Sequence, residues 1–369
     1  MAPRIPAHRF FFPLGAAYAA LALPASVAAM TGAAGAPGLS FPVGHAHEML
    51  FGFALAAVAG NQLGPTTVPT LATLLAAWTA ARLSFVLVPH TALAALANAA
   101  FPALLAWQLA PRLFGRAKKW RNMALPVVLA ALCLAAVAIQ WPLHFRAGEM
   151  PREVLRVGVL LIALLMLFMG GRIIAPAAAG QIYRQGGDLE ARVQPGLEGA
   201  MIVTMLLASV NAALGATGIA GVLVVAAGVA AILRMLRWRL WSLRGRPDLL
   251  CLAAGYAWLA AGLLAVGAAM IAQRPASAAL HLITVGAIGT LTINVMALTA
   301  ARLARLDPAR ARLPVWATGL IALATLSRVL ADGAEARTAM LWAAAALWAA
   351  AYALLLANLA LVSRARRGG

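Results

Sequence analysis

The stretch VLRVGVLLIALLMLFMGGRIIA (Val154–Ala175) decides the fold. Apart from Arg156 and Arg172 it has no charged residue, and it shows no alternation of polar and apolar positions. A helix of this length rises about 1.5 Å per residue and crosses the roughly 30 Å hydrocarbon core of a bilayer. Comparable runs recur from end to end, near 10–31, 46–64, 68–89, 91–110, 122–141, 154–175, 197–215, 217–235, 249–272, 277–300, 313–331 and 338–362. The chain is 64% hydrophobic and 11% charged, with a mean hydropathy of +0.89. Soluble domains carry about 25% charged residues, so no sizeable soluble domain fits. The runs are continuous and rich in Ala and Leu, which favours helices over a barrel. The expectation is an all-α polytopic membrane helix bundle of about twelve helices, a single transmembrane domain over residues 1–369. The split at GATGIAG (215–221) is the least defined and suits a tight hairpin between the seventh and eighth runs.

The net charge of +19 is concentrated in short segments between the runs, which marks membrane orientation and argues against nucleic-acid binding. With the N-terminus cytoplasmic, 22 of the 29 Lys and Arg residues fall on the inner side, four (Arg146, Arg152, Arg274, Arg337) on the outer side, and three (Arg82, Arg156, Arg328) within spans. The inner groups are Arg4 and Arg9; Arg112 to Arg121; Arg172, Arg184 and Arg192; Arg234 to Arg246; Arg302 to Arg312; and Arg364, Arg366 and Arg367. One span too many or too few would invert every later loop, so the bias supports twelve spans with both termini inside. The run from Phe10 to Thr31 is longer than the h-region of a signal peptide and reads as a retained first helix. Cys133 and Cys251 lie in or beside apolar runs without a CxxC or CxxCH motif, which excludes covalent c-type haem and a cysteine zinc site.

In this topology His45, His47, His90, His144 and His281 all fall at the outer ends of spans, and His8 alone on the inner side. VGHAHEMLFGF (Val43–Phe53) places His45, His47 and Glu48 within four residues. If the helix has begun by His45, His45 and Glu48 share a face and His47 points away. If His45 is still in the leading loop, as Pro42 and Gly44 favour, all three converge. Gly52, Ala56 and Gly60 follow on the Glu48 side, so Glu48 faces protein, where it is placed to orient a histidine ring N–H. HLITVGAIGTLTINVM (His281–Met296) repeats the texture, a histidine followed by Gly286, Gly289 and Thr290. Arg82, Arg172 and Arg328 read as snorkelling or paired structural residues, and Tyr256 and Trp258 as packing residues.

These pieces together resemble the NnrS family. GHAHEMLFGFALAAVAG is similar to the opening of the family's second helix, GGRIIAP to the end of its sixth, GYAWLAAGLL to its ninth and HLITVGAIGTLTINVMA to its tenth. The resemblance implies a multi-pass protein of the bacterial inner membrane, associated with haem b, with copper, and with the response to nitric oxide. It implies metal-site roles for His45, His47 and His281, cofactor-binding roles for these with Glu48, Tyr256 and Arg172, and a site-adjacent place for Trp258. The chain departs from the family pattern in three places. Ala253 and Ala254 stand where a histidine usually precedes GYAW, LTAARLAR stands where an LGHTG-like segment follows the tenth helix, and the FT after the GR motif is absent.

Two functional classes follow. The first is a haem- or metal-containing protein of nitric oxide stress or nitrogen-oxide metabolism, with a small gaseous ligand and a His/Glu site at the outer ends of the second and tenth helices. The second is a transporter of a small solute or metal, for which Gly- and Pro-interrupted helices with intramembrane Arg and Glu are suited. The topology is checked by reporter fusions. Those after Arg121, Arg246 and Arg312 are expected to report cytoplasm and those near Gly148 and Gln273 periplasm; a reversal at any one of them removes the shared outer face of the histidines.

Overall fold

The computed structural model describes residues 3–33, 35–144, 150–189, 193–243 and 245–365. Arg146, Arg192, Arg244, Arg366 and Arg367 of the charge tally lie outside them. Among the described residues, eleven helices are long and apolar enough to cross a membrane, so the chain is an all-α polytopic bundle. The remaining expected span, 46–64, is helical as far as Gln62 but differently built. It consists of α2 (Pro42–His47), a π-helical segment (Glu48–Ala54) and α3 (Leu55–Gln62). His45, His47 and Glu48 dilute its apolar character.

The chain forms two compact units, residues 1–158 and 159–369. The first holds α1 (His8–Met30), the interrupted helix, α4 (Val68–Leu87), α5 (Ala92–Arg116), α6 (Trp120–Ala138) and the short α7 (Gln140–His144). A two-stranded antiparallel ribbon, β1 (Arg4–Pro6) with β2 (Pro65–Thr67), ties the start of α1 to the start of α4. α1 packs on the interrupted helix through small residues: a Cβ on Gly15 would stand 3.5 Å from that of Ala56, and one on Gly60 only 2.5 Å from the Phe12 ring.

The units divide within α8 (Met150–Arg184). The sixth run ends near 175 in the sequence, but α8 continues through Pro176 to Arg184. Ala177, Ala178 and Ala179 are the strongest helix formers, and Pro costs a helix one backbone bond without forcing its end.

The second unit continues with α9 (Pro195–Ala213), α10 (Thr217–Arg237), α11 (Pro247–Ile271), α12 (Ser277–His281), a second π segment (Leu282–Ala287), α13 (Ile288–Leu303), α14 (Leu313–Leu330) and α15 (Arg337–Ala365). The expected tight hairpin is present. Gly215, at φ +79°, ends α9, and the Ala216 N–H reaches back to the Asn211 carbonyl at 2.9 Å.

α10 and α11 approach backbone to backbone. A Cβ on Gly267 would lie 2.7 Å from the Gly221 carbonyl oxygen and 2.9 Å from the Val225 nitrogen. Van der Waals packing of this kind holds membrane helices together, since lipid offers them no hydrophobic drive to associate. Gly267→Ala is therefore expected to lower the thermal midpoint of the detergent-solubilised protein, at a cost of about 1–3 kcal/mol. Gly319→Ala in α14, where a Cβ meets nothing within 4 Å, should be neutral or slightly stabilising. Equal effects of the two would show that the α10–α11 crossing has room to adjust.

Candidate functional site

Glu48 is the centre of the first unit's polar interior. It is fully buried on the π segment, with Arg82 of α4 and His47 buried beside it. Oε1 accepts from Arg82 Nη1 at 2.5 Å and from His47 Nδ1 at 2.9 Å, while Oε2 accepts from the Tyr18 hydroxyl of α1. Arg82 Nη2 donates to Asn98 Oδ1 of α5 at 2.6 Å, and Asn98 Nδ2 is anchored on the Ala81 and Ala94 carbonyls. The sequence makes room for this at Gly52, where a Cβ would come within 2.4 Å of Arg82 Nη1.

The tautomer of His47 follows from its partners. Gln140 Nε2 donates to the Ala136 carbonyl at 2.8 Å and lies 2.9 Å from His47 Nε2. That ring nitrogen must therefore accept, and the proton sits on Nδ1, where the carboxylate takes it. His47 is a neutral imidazole with both nitrogens engaged, stacked on Phe85 with ring centroids 4.3 Å apart.

The π segment is accompanied by a side-chain contact to its backbone. A widened turn leaves a backbone carbonyl without its helical partner, and the Trp78 indole N–H donates to Gly52 O at 2.9 Å. Single π turns of this type occur often at functional sites.

His45 does not stay in the leading loop. Pro42 at the first helical position starts the helix, so His45 is already helical and points apart from His47. Its Nδ1 lies 3.1 Å from Ser26 Oγ of α1. The two histidines thus serve different surroundings, as the first of the two alternatives has it, in which the helix has begun by His45. His90 stacks on Phe41 at 5.6 Å, with Nδ1 3.2 Å from the Leu143 carbonyl.

In the second unit His281 ends α12, immediately before the second π segment. Its Nδ1 donates to the Ser277 carbonyl at 2.7 Å, which leaves the ring lone pair on Nε2. Arg328 Nη2 reaches the Ser277 hydroxyl at 3.1 Å and its Nη1 pairs with Asp332 at 2.9 Å. α11 lies directly on this π segment: a Cβ on Gly262 would meet Ile283 at 2.5 Å, and one on Gly286 would meet the Trp258 ring at 2.9 Å.

Arg172 is ion-paired with Glu198 and lies 4.2 Å over the Phe168 ring. Tyr256 is fully buried, its ring 5.1 Å from that of Trp238. Sequence reasoning missed Tyr18, Asn98 and Gln140 in the first unit and Glu198, Arg234 and Trp238 in the second. It set Arg82 aside as structural and placed Arg234 among the basic flanks, whereas Arg234 is buried in the last turn of α10.

Among the described residues no group of three or more His, Cys, Asp or Glu side chains converges to hold a metal ion. Among the described residues, a copper site built from several of these side chains is therefore not formed. A single carbonyl-oriented imidazole such as His281 does fit the role of an axial haem ligand.

A bundle of apolar spanning helices with a compensated ion pair inside an interrupted one defines a polytopic integral membrane protein. The chain belongs to the NnrS family, whose model, described as NnrS protein, matches residues 6–366. That membership makes it a membrane protein of the nitric oxide response. No curated protein matches the chain.

A buried ion pair is costly to break from one side, since the remaining charge has no water to turn to. Glu48→Gln and Arg82→Met are each expected to destabilise the solubilised protein by about 3–5 kcal/mol. The double variant should cost at least about 1 kcal/mol less than the sum of the two. Strict additivity of the three unfolding free energies would show that the two charges do not depend on each other.

Proposed function

We propose that this chain is a haem-binding protein of the bacterial inner membrane, multi-pass with both termini cytoplasmic, that acts on or responds to a small nitrogen oxide. The observation that carries the reading is His281, held by Nδ1–H donation to its own helix at the head of a π turn. A haem iron with an open position supplies a binding place for a diatomic gas such as nitric oxide. The protein's part is to present Nε2 of His281 in a fixed orientation. Arg328 and Arg337 both approach Asp332 at this end of α14, and Arg328 also reaches Ser277 beside the histidine. In the first unit, Glu48 holds the His47 proton on Nδ1 and Gln140 donates to Nε2. For His47 to act as a ligand, Gln140 must release it; His45, hydrogen-bonded to Ser26, has its own orientation. Copper enters no step of this reading.

One observation favours transport as a second reading: an interrupted helix carrying a buried carboxylate, imidazole and guanidinium is a usual element of ion-coupled carriers. The visible spectrum of the purified protein separates the two. A Soret band that shifts with nitric oxide supports the first, and a colourless protein with full folded yield the second. His281→Ala is expected to abolish haem content per protein. His45→Ala and His47→Ala should leave it partly occupied, and Glu48→Gln, measured on the fraction that folds, should retain most of it with affinity weakened roughly 10–100-fold. Wild-type haem content in His281→Ala would make that histidine structural.

A further inference from the structure

The second unit contains a buried positive charge that forms no ion pair with a described residue. Arg234 is 3% exposed. Its Nη1 donates to the Leu167 carbonyl at 2.9 Å, and its guanidinium lies 5.0 Å over the Trp238 ring. The nearby carboxylate, Glu198, is paired with Arg172, and no ion pair joins Arg234 to any described residue. Three polar atoms of the cluster are buried without a hydrogen-bond partner: Arg234 Nε, Trp238 Nε1 and Tyr256 Oη. The first two are donors that cannot accept, and the third carries a donor of its own. Tyr256 Oη lies within reach of the guanidinium and close enough to feel the Glu198 carboxylate, but no contact to either meets strict hydrogen-bond geometry.

The cluster is built into the helix packing. A Cβ on Gly171 would stand 1.9 Å from Arg234 Nη2, and one on Gly170 2.5 Å from the Tyr256 ring. The two glycines of GGRIIAP thus let a guanidinium and a phenol lie against α8, where alanine would exclude both. An unpaired buried charge and unmet buried donors are each expensive. A water molecule would answer the donors but leave the charge. An anion answers both.

We propose that Arg234, Trp238 and Tyr256 bind a small monovalent inorganic anion, planar oxyanions of the nitrate type preferred. The guanidinium fork matches two oxygens of such an anion, and the indole and phenol donors add to it. The enclosure of Trp238 and Tyr256, both 0% exposed, rules out a lipid phosphate as the source. The site is independent of the haem reading, and its test needs no haem.

The test is the thermal midpoint of the purified full-length protein in detergent against rising sodium nitrate, with chloride, sulfate and gluconate at matched ionic strength. A ligand that binds the folded form raises the midpoint in a concentration-dependent way. The expected result is a rise that saturates with nitrate, is weaker with chloride and is absent with gluconate and sulfate. Trp238→Phe and Tyr256→Phe each remove one donor at nearly constant volume and should raise the half-effect concentration of nitrate about tenfold or more. Arg234→Gln should abolish the response; if that variant does not fold, the two aromatic variants carry the test. An equal response to all four anions, or a nitrate response unchanged in both aromatic variants, would overturn the proposal.

Discussion

The first unit depends on how one carboxylate, Glu48, is compensated away from water. Ionised groups in a low-dielectric interior have to be matched by charge and hydrogen bonds, or they carry a penalty of several kcal/mol each. Glu48 is matched by donors from three places: Tyr18 on α1, Arg82 on α4 and its own neighbour His47. Two of these donors are fixed in turn, Arg82 by Asn98 on α5 and His47 by Gln140 on α7. Five helical elements are therefore oriented by a single chain of polar contacts. Apolar packing alone would leave them free to rotate against one another, because lipid and leucine are equivalent surroundings for an apolar side chain.

The second unit uses the same material differently. Small residues again admit a guanidinium, Gly171 for Arg234 as Gly52 does for Arg82. The balance differs, because Arg82 meets a carboxylate and an amide whereas Arg234 meets one backbone carbonyl. A charge met by a carboxylate is an architectural element, and one met only by a carbonyl leaves an opening for a ligand. The contrast separates the two arginines by chemistry where the sequence shows only two lone cations in apolar helices.

The spans were legible because an apolar run of about 20 residues has few alternatives in a chain this hydrophobic. The burial of Glu48 was legible as well, from the small residues Gly52, Ala56 and Gly60 on its side of the helix. What escaped sequence reading were the partners. Glu48 lies 30 residues from Tyr18 and 34 from Arg82, and His47 lies 93 residues from Gln140, so no local pattern joins them. The helical start at Pro42 escaped for another reason. Pro and Gly mark loops in general, but Pro at the first helical position opens a helix, and a short motif does not tell the two apart. The continuation of α8 past Pro176 is the same ambiguity at a helix's far end.

Both histidine-bearing helices widen directly after the histidine, over Glu48–Ala54 and over Leu282–Ala287. A π turn holds one more residue than an α turn, so the helical phase on its two sides is offset by about 100°. The stripe that packs α3 and the stripe that presents His47 are therefore not continuous on a helical wheel, and the same holds for α13 and His281. Removing one residue from either widened turn would restore an ordinary helix and swing its histidine to a different face while leaving the apolar contacts beyond it in register. The extra residue acts as an angular setting, recorded in the chain as a single position of length and not as any particular side chain.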